Sequence, residues 1–385
     1  MRPRVHYGYG AVDTLPDLVS TLDRQRVMLV CGGRSFEASG AARILPGLEK
    51  SAQVLRWSDF SPNPDATDLA RGLALAADFD PDLVLGVGGG TALDMAKLLC
   101  AFPGRDDLAA LHAAIRSGQP VTGRGPALVL APTTSGSGAE TTHFAVVYIG
   151  DEKFSVAGPA LRPDVVVLDP GLTLSGSAYQ RATSGVDAVA QAIESLWASG
   201  ATPESRRWAR HALGYLLPAI EPFVTAGDAE AARAMAIGSH LAGRAIDISK
   251  TTAAHALSYG ITKRYGISHG HAVALTLGAF LQAHAEAAPE LLRPGIDPAA
   301  HAEAMAEILS ALRAADGADA RARFTRLLER IGLEPELAKV GAATPAARRA
   351  LAAAVNAERL GNNPVRFTEA ELAALLEPPG LDPPA

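Results

Sequence analysis

The sequence is short of cysteine, of excess positive charge and of long apolar runs, and each shortage removes a class of protein. Its two cysteines, Cys31 and Cys100, sit in the apolar stretches "MLVCGG" and "KLLCAF". They read as buried thiols, which argues against a disulfide framework. Asp and Glu number 41 against 35 Lys and Arg, a net charge of −6, so there is no basic field to hold a nucleic acid. No window reaches the roughly 18 uninterrupted apolar residues of a membrane span. The opening "MRPRVHYGYG" lacks the apolar core of a secretory signal. Together these absences set the expectation of a cytoplasmic protein with neither membrane nor nucleic-acid partner. What is present is 385 residues with a hydrophobic fraction of 48%, enough for two domains with sizeable cores.

The first half alternates strand and helix signals. "RVMLVCGG" (26–33), "DLVLGVGGG" (82–90), "ALVLAPTTSGSG" (127–138) and "DVVVLDP" (164–170) are short apolar runs, each stopped by Gly or Pro. Helical patterns lie between them at 65–79 and 92–102. Apolar strands interleaved with helices predict a parallel sheet covered on both faces. Beyond about residue 178 the strand signal stops, and apolar residues recur at three- and four-residue spacing. The expected organisation is therefore an α/β nucleotide-binding domain over 1–178 and an all-helical domain over 179–385. The boundary is expected in the Gly/Ser-rich stretch "LTLSGSAYQRATSG" (172–185), and the Pro-rich tail "EPPGLDPPA" is expected to be loosely held.

Two loops at strand ends suit phosphate chemistry. "GVGGGTALDMAK" (86–97) is strand, glycine turn and helix, with free N–H groups and a positive dipole end at Gly88, Gly89 and Gly90. The spacing is not G-x-G-x-x-G, and a bare triple glycine also serves as a plain tight turn. Asp94 and Lys97, at i and i+3 on the following helix, read by themselves as a solvated pair. "APTTSGSGAET" (131–141) offers hydroxyls at Thr133, Thr134, Ser135 and Ser137 with glycines between. Two such loops at the carboxyl ends of parallel strands are better evidence than either alone.

A third constellation suits a metal. Asp187 and Gln191 stand at i and i+4, on one helix face. His255, His269 and His271 follow within seventeen residues, bracketing a helix and a glycine turn. An isolated histidine is more often a buttressed side chain than a ligand, but Asp with clustered His is the material of a divalent-metal site.

These motifs, with "YGYGAVDTLPDL" near the start and "NNPVRFTEAEL" near the end, resemble the iron-containing (group III) alcohol dehydrogenase family over nearly the whole chain. The resemblance implies an N-terminal nucleotide-binding α/β domain and a C-terminal all-helical domain, with NAD(P) and one metal ion, Fe²⁺ or Zn²⁺, held between them, and commonly a homodimer. The family's ligands are usually an Asp, a His one turn later, and two His fourteen residues apart. Carried over, the positions are Asp187, Gln191, His255 and His269. Gln191 departs from the pattern and implies a weakened but retained metal site through its amide oxygen. Tyr259 also departs, standing where many members have a further His. "QAIES" with "TTAAHALSYGITKRYGISHGHAVALTL" is similar to the branch that reduces phosphonoacetaldehyde to 2-hydroxyethylphosphonate.

The expected chemistry is hydride transfer from NAD(P)H to a metal-polarised carbonyl of a small aldehyde. The candidate cofactor set is Gly32, Arg34, Ser35, Gly88, Gly89, Gly90, Asp94, Thr133, Thr134, Ser137 and Lys153. "LVCGGRSF" places no acid after the first of these strands to repel a 2′-phosphate, and Arg34 is available to meet one. NADPH is expected, with NADH the alternative. His271 is a candidate proton relay or a buttress. Lys250, just before the helix carrying His255, is the candidate cation for a phosphonate group. Rival readings are a general alcohol dehydrogenase of the same family, a dehydroquinate synthase-like cyclase, and a ligand-binding protein that has lost its metal.

Overall fold

The computed structural model describes residues 3–150, 152–355 and 357–377, so the tail beyond Glu377 lies outside the described residues. The chain divides into two compact units, Met1–Gly176 and Ser177–Ala385. The division falls within the Gly/Ser-rich stretch. That stretch is not all linker: its second half is helical, capped where the Ser177 hydroxyl accepts from Gln180 N at 3.1 Å.

The first unit contains β1 (Arg4–Tyr7), β2 (Arg26–Cys31), β3 (Gln53–Trp57), β4 (Leu83–Gly88), β5 (Ala127–Pro132), β6 (Phe144–Ile149), β7 (Glu152–Ala157) and β8 (Val165–Leu168). Among the described residues, six of these form one parallel sheet in the order β1-β8-β5-β4-β2-β3. Every residue of β4 is buried, as a strand covered on both faces requires. Alternation along β2 splits its side chains between two cores. Val27, Leu29 and Cys31 join one cluster, while Met28 and Val30 join the other. Helices α1 (Leu15–Thr21), α2 (Gly33–Ala38), α3 (Leu45–Ser51), α4 (Ala66–Phe79), α5 (Gly90–Ala101) and α6 (Leu108–Arg116) occur along the connections. Cys31 and Cys100 are both buried and unbridged.

β6 and β7 form a separate antiparallel hairpin packed on α5. Here Asp94 and Lys97 depart from the solvated pair expected of them. Lys97 is fully buried, and its ammonium donates to Thr142 Oγ1 at 2.8 Å and Phe144 O at 3.0 Å. Asp94 Oδ2 accepts from Val146 N at 3.0 Å. Burial pushes the Asp94 carboxyl up to about 6, against the pull of Lys97, the Val146 N–H and Lys153.

Apart from an isolated antiparallel bridge between Leu292 and Val365, the described secondary structure of the second unit is helical: α7 (Ala178–Trp197), α8 (Pro203–Ala226), α9 (Ala229–Ser249), α10 (Ala253–Tyr265), α11 (His269–Ala285), α12 (Pro298–Leu312), α13 (Gly317–Arg330), α14 (Pro345–Ala353), α15 (Ala357–Gly361) and α16 (Glu369–Leu375), with one short 3-10 turn. α7 is its central element, packed by α8, α9, α11 and α12 and buried at every residue from Val186 to Trp197. Among the described residues no helix is long and apolar enough to cross a membrane.

The raised Asp94 carboxyl has a pH signature. A folded pKa of about 6 against about 3.9 unfolded means the group contributes stability that is complete below pH ~4 and is lost as pH rises through 6. The Asp94→Asn variant has no group there to ionise. The unfolding free energy of the wild type relative to Asp94→Asn should therefore fall by about 1–3 kcal/mol between pH 4 and 7. Denaturant titrations at both pH values check this, and a pH-independent difference would refute it.

Candidate metal centre and phosphate cradle

Burial of α7 forces its polar residues to find partners inside the protein. Asp187, Gln191 and Glu194 stand at i, i+4 and i+7, one stripe of the helix, and all three are buried. The Gln191 amide nitrogen donates to Asp187 Oδ2 at 3.1 Å. Glu194 Oε2 meets His255 Nδ1, while Glu194 Oε1 accepts from Thr252 Oγ1 at 2.7 Å and Ala254 N at 3.0 Å. Sequence reasoning assigned Glu194 no role, although the i+7 spacing on an otherwise apolar helix was the signal that could have found it.

α10 and α11 bring the histidines to this stripe. His255, on the first turn of α10, places Nε2 at 3.3 Å from Asp187 Oδ1; that buried nitrogen has no hydrogen bond of good geometry. His269 opens α11, with Nε2 at 4.0 Å from the same oxygen. Its tautomer follows from Ser258, whose single hydroxyl proton goes to His255 O at 2.7 Å. Ser258 Oγ must then accept from His269 Nδ1, 3.3 Å away, leaving the lone pair of His269 on Nε2. Tyr259 stacks on the His269 ring, with centroids 5.9 Å apart. Close approach of the two helices depends on Gly270, where a Cβ would stand 2.0 Å from Thr183 O and 2.8 Å from Asp187 Cβ.

One oxygen of Asp187 and one nitrogen each of His255 and His269 thus lie within 4.8 Å of one another. A carboxylate with two imidazoles suits a catalytic divalent ion, for which three protein ligands leave an open position. The electrostatics agree. Burial alone would lower the His255 pKa, but Glu194 and Asp187 outweigh it and push it up to about 10. The pocket therefore favours a positive charge between its two carboxylates. Asp187 and His255 are enclosed, whereas the His269 side chain is 39% exposed and forms the open side. Gln191 is held against the Asp187 carboxylate and so orients that ligand, with its amide oxygen the remaining donor of the sequence-derived set.

His271 stands apart from this cluster. Its Nε2 donates to Glu334 O at 2.8 Å, so Nδ1 accepts from the Tyr179 hydroxyl at 3.3 Å. A proton relay through His271 would have to run by way of Tyr179. Lys250 lies in the link between α9 and α10 with φ 62° and ψ 178°, a backbone state that favours glycine. The carbonyls on either side, Ser249 O and Thr251 O, are both held by Asn362 Nδ2 at 2.8 and 3.0 Å.

The first unit brings the two phosphate-type loops together. Thr133 N donates to Gly88 O at 2.9 Å. A Cβ on Gly90 would lie 3.1 Å from Ser137 Oγ, and one on Gly89 would lie 3.6 Å from Thr134 Cγ2. Gly89 begins α5 with no side-chain cap, so the N–H groups of its first turn line a cradle. That geometry fits a dinucleotide pyrophosphate. Gly32 precedes α2, on which Arg34 and Ser35 are exposed; a Cβ on Gly32 would collide with Ser35 Oγ. Asp94 and Lys153 interact near the hairpin rather than at the glycine turn.

A family model described as "Iron-containing alcohol dehydrogenase" matches residues 3–170, and one described as "Fe-containing alcohol dehydrogenase family, C-terminal" matches residues 181–378. The phosphonoacetaldehyde reductase of Streptomyces viridochromogenes is 34% identical over 362 residues, covering 91% of this chain and 89% of that protein. Long-chain-alcohol dehydrogenase 1 of Geobacillus thermodenitrificans is 31% identical over 277 residues, covering 71% and 70%. Among solved structures, the sulfoacetaldehyde reductase of Bifidobacterium kashiwanohense in complex with NAD⁺ superposes with a TM-score of 0.86 at 25% identity, covering 98% of this chain and 96% of that one.

Gly270→Ala should push the start of α11 off α7 and carry His269 away from Asp187. Metal analysis after anaerobic purification should find at least about tenfold weaker retention than in the wild type, with stability lower by about 1–3 kcal/mol. Wild-type metal retention in a folded variant would contradict the positioning described.

Proposed function

From the premise that this chain belongs to the iron-containing alcohol dehydrogenase family, we propose that it reduces phosphonoacetaldehyde to 2-hydroxyethylphosphonate with NADPH. It is an alcohol dehydrogenase or aldehyde reductase of a family that uses NAD(P) and a divalent metal, and its partner is a small-molecule aldehyde. The choice of a phosphonate substrate, of NADPH over NADH, and of the ion is our reading.

The reaction adds a hydride to the carbonyl carbon and a proton to its oxygen, giving alcohol and oxidised cofactor. A divalent ion, when bound, polarises the carbonyl, and the nicotinamide supplies the hydride. Asp187, His255 and His269 are the residues that would hold the ion, with Gln191 keeping the carboxylate in place. The enclosed side of the pocket excludes water, and the side bounded by His269 admits substrate.

Lys250 is the observation that carries the phosphonate reading. A lysine in a glycine-favouring backbone state costs on the order of 1–3 kcal/mol, and Asn362 holds it there from both sides. This lysine stands five positions before His255, just ahead of the helix that carries it. A phosphonate carries up to two negative charges, which the Lys250 ammonium would select. The relation to phosphonoacetaldehyde reductase supports the same substrate. For the cofactor, the nearest acid after β2, Glu37, is tied to Arg56 at 2.8 Å, leaving exposed Arg34 as the charge available to a 2′-phosphate.

Lys250→Ala should raise KM for phosphonoacetaldehyde about tenfold or more while changing KM for propionaldehyde by less than about threefold. Equal losses on both substrates would contradict the assignment. The same panel should contain sulfoacetaldehyde; a preference for it would move the substrate to the sulfonates. In kcat/KM, NADPH should exceed NADH by about tenfold or more, and Arg34→Ala should erase the difference. A clear NADH preference would overturn the cofactor reading.

A further inference from the structure

We propose that Glu194, Thr252 and Trp197 form a one-way hydrogen-bond relay that fixes the tautomer of His255, with Glu194 as its positioning residue. The inference rests on reading Asp187, His255 and His269 as the ligand set. Each direction in the relay follows from what its groups can donate. The Trp197 indole nitrogen only donates, and it donates to Thr252 Oγ1 at 2.9 Å. The single Thr252 proton then goes onward to Glu194 Oε1 at 2.7 Å. Ala254 N donates to the same oxygen at 3.0 Å. Glu194 is fully buried, and its Oε1 already accepts from two donors, the Thr252 hydroxyl and Ala254 N. Its other oxygen, Oε2, faces His255 Nδ1 and serves as the acceptor of that N–H. With Nδ1–H given to Glu194, Nε2 is the nitrogen that faces Asp187 and the one a metal would take in place of a proton.

The relay is anchored at its far end. The Trp197 ring stacks on His284 with centroids 4.1 Å apart and planes at 23°. His284 is buried and contacts Asn363 Oδ1 at 3.2 Å and His301 at 3.3 Å. Trp197 cannot turn without breaking that stack. Glu194 has a second task in the same place. Thr252, the cap residue of α10, makes no side-chain cap of its own, so the Glu194 carboxylate serves the N-terminus of that helix. One carboxylate thus sets both where α10 starts and which nitrogen of its histidine faces Asp187. Such partners behind a metal-bound histidine are worth about 10–100-fold in affinity.

The test measures the Zn²⁺ dissociation constant of the full-length protein by competition with a chromophoric chelator. Glu194→Gln keeps the shape and the acceptor for Thr252 and Ala254. Its amide would donate to His255 Nδ1, shifting the proton to Nε2 and blocking the ligand position. Affinity should fall about 10–100-fold, while the circular dichroism of the metal-free variant stays that of the wild type. Thr252→Val should weaken binding about threefold to tenfold, and Thr252→Ser should restore it. Nitrogen-15 NMR should show His255 protonated at Nδ1 in the Zn²⁺-bound wild type and at Nε2 alone in the Zn²⁺-free Glu194→Gln protein. If the wild type binds Zn²⁺ and Glu194→Gln binds it equally, the relay is wrong. If Glu194→Gln fails to fold, equal affinities for Thr252→Val and Thr252→Ser would overturn the relay instead. A wild type that binds no Zn²⁺ at this position overturns the ligand assignment on which the relay stands.

Discussion

Burying two carboxylates on one stripe of a central helix is the constraint on which the second unit depends. An ionised carboxylate removed from water must be met by cations or by several N–H and O–H donors. Asp187 is met by Gln191 from its own helix and by His255. Glu194 is met by Thr252, Ala254 and His255, all at the start of α10. The position of α10 against α7 follows from these bonds. Gly270, the one residue type that lets α11 approach Thr183 and Asp187, sets the other wall. The result is a pocket with more acceptors than fixed charge to satisfy them. A divalent ion with two imidazole ligands completes such a pocket.

The first unit meets a different demand by different means. Its cradle is made by absence of side chains, since Gly88, Gly89 and Gly90 leave room that any Cβ would reduce. The Thr133–Ser137 loop is held beside it by the Gly88 carbonyl. Backbone N–H groups there suit an anion, whereas the carboxylates of α7 suit a cation. The family uses NAD(P) and a divalent metal, and on the proposed reading each unit serves one of them.

Much of this was legible in the sequence because fully buried strands and glycine turns leave strong local marks. The runs at 26–33, 82–90, 127–138 and 164–170 became β2, β4, β5 and β8, all strands buried on both faces. β1 and β3 are the sheet's edges, short and half-exposed, with residues such as Arg4, Gln53 and Arg56 that break an apolar run. In the hairpin, β6 (FAVVYI) is an apolar run with one face buried, while β7 (EKFSVA) is mostly exposed or half-buried and shows none. Asp187, His255 and His269 were legible from residue type and spacing. Glu194 was not, because its partner lies 61 residues away and only the fold joins them. Lys97 misled for a related reason: a lysine at helical spacing from an aspartate reads as solvated until the hairpin that buries it is known.

The central claim is that Asp187, His255 and His269 hold a divalent ion that the reductase needs. The most direct test is to strip the anaerobically purified protein of metal with a chelator, then titrate Fe²⁺ or Zn²⁺ while following phosphonoacetaldehyde-dependent oxidation of NADPH. The account predicts that activity is lost on stripping and returns in proportion to metal, saturating at one equivalent per chain, and that His255→Ala does not respond. Full turnover by the stripped wild type, or recovery in His255→Ala equal to that of the wild type, would contradict it.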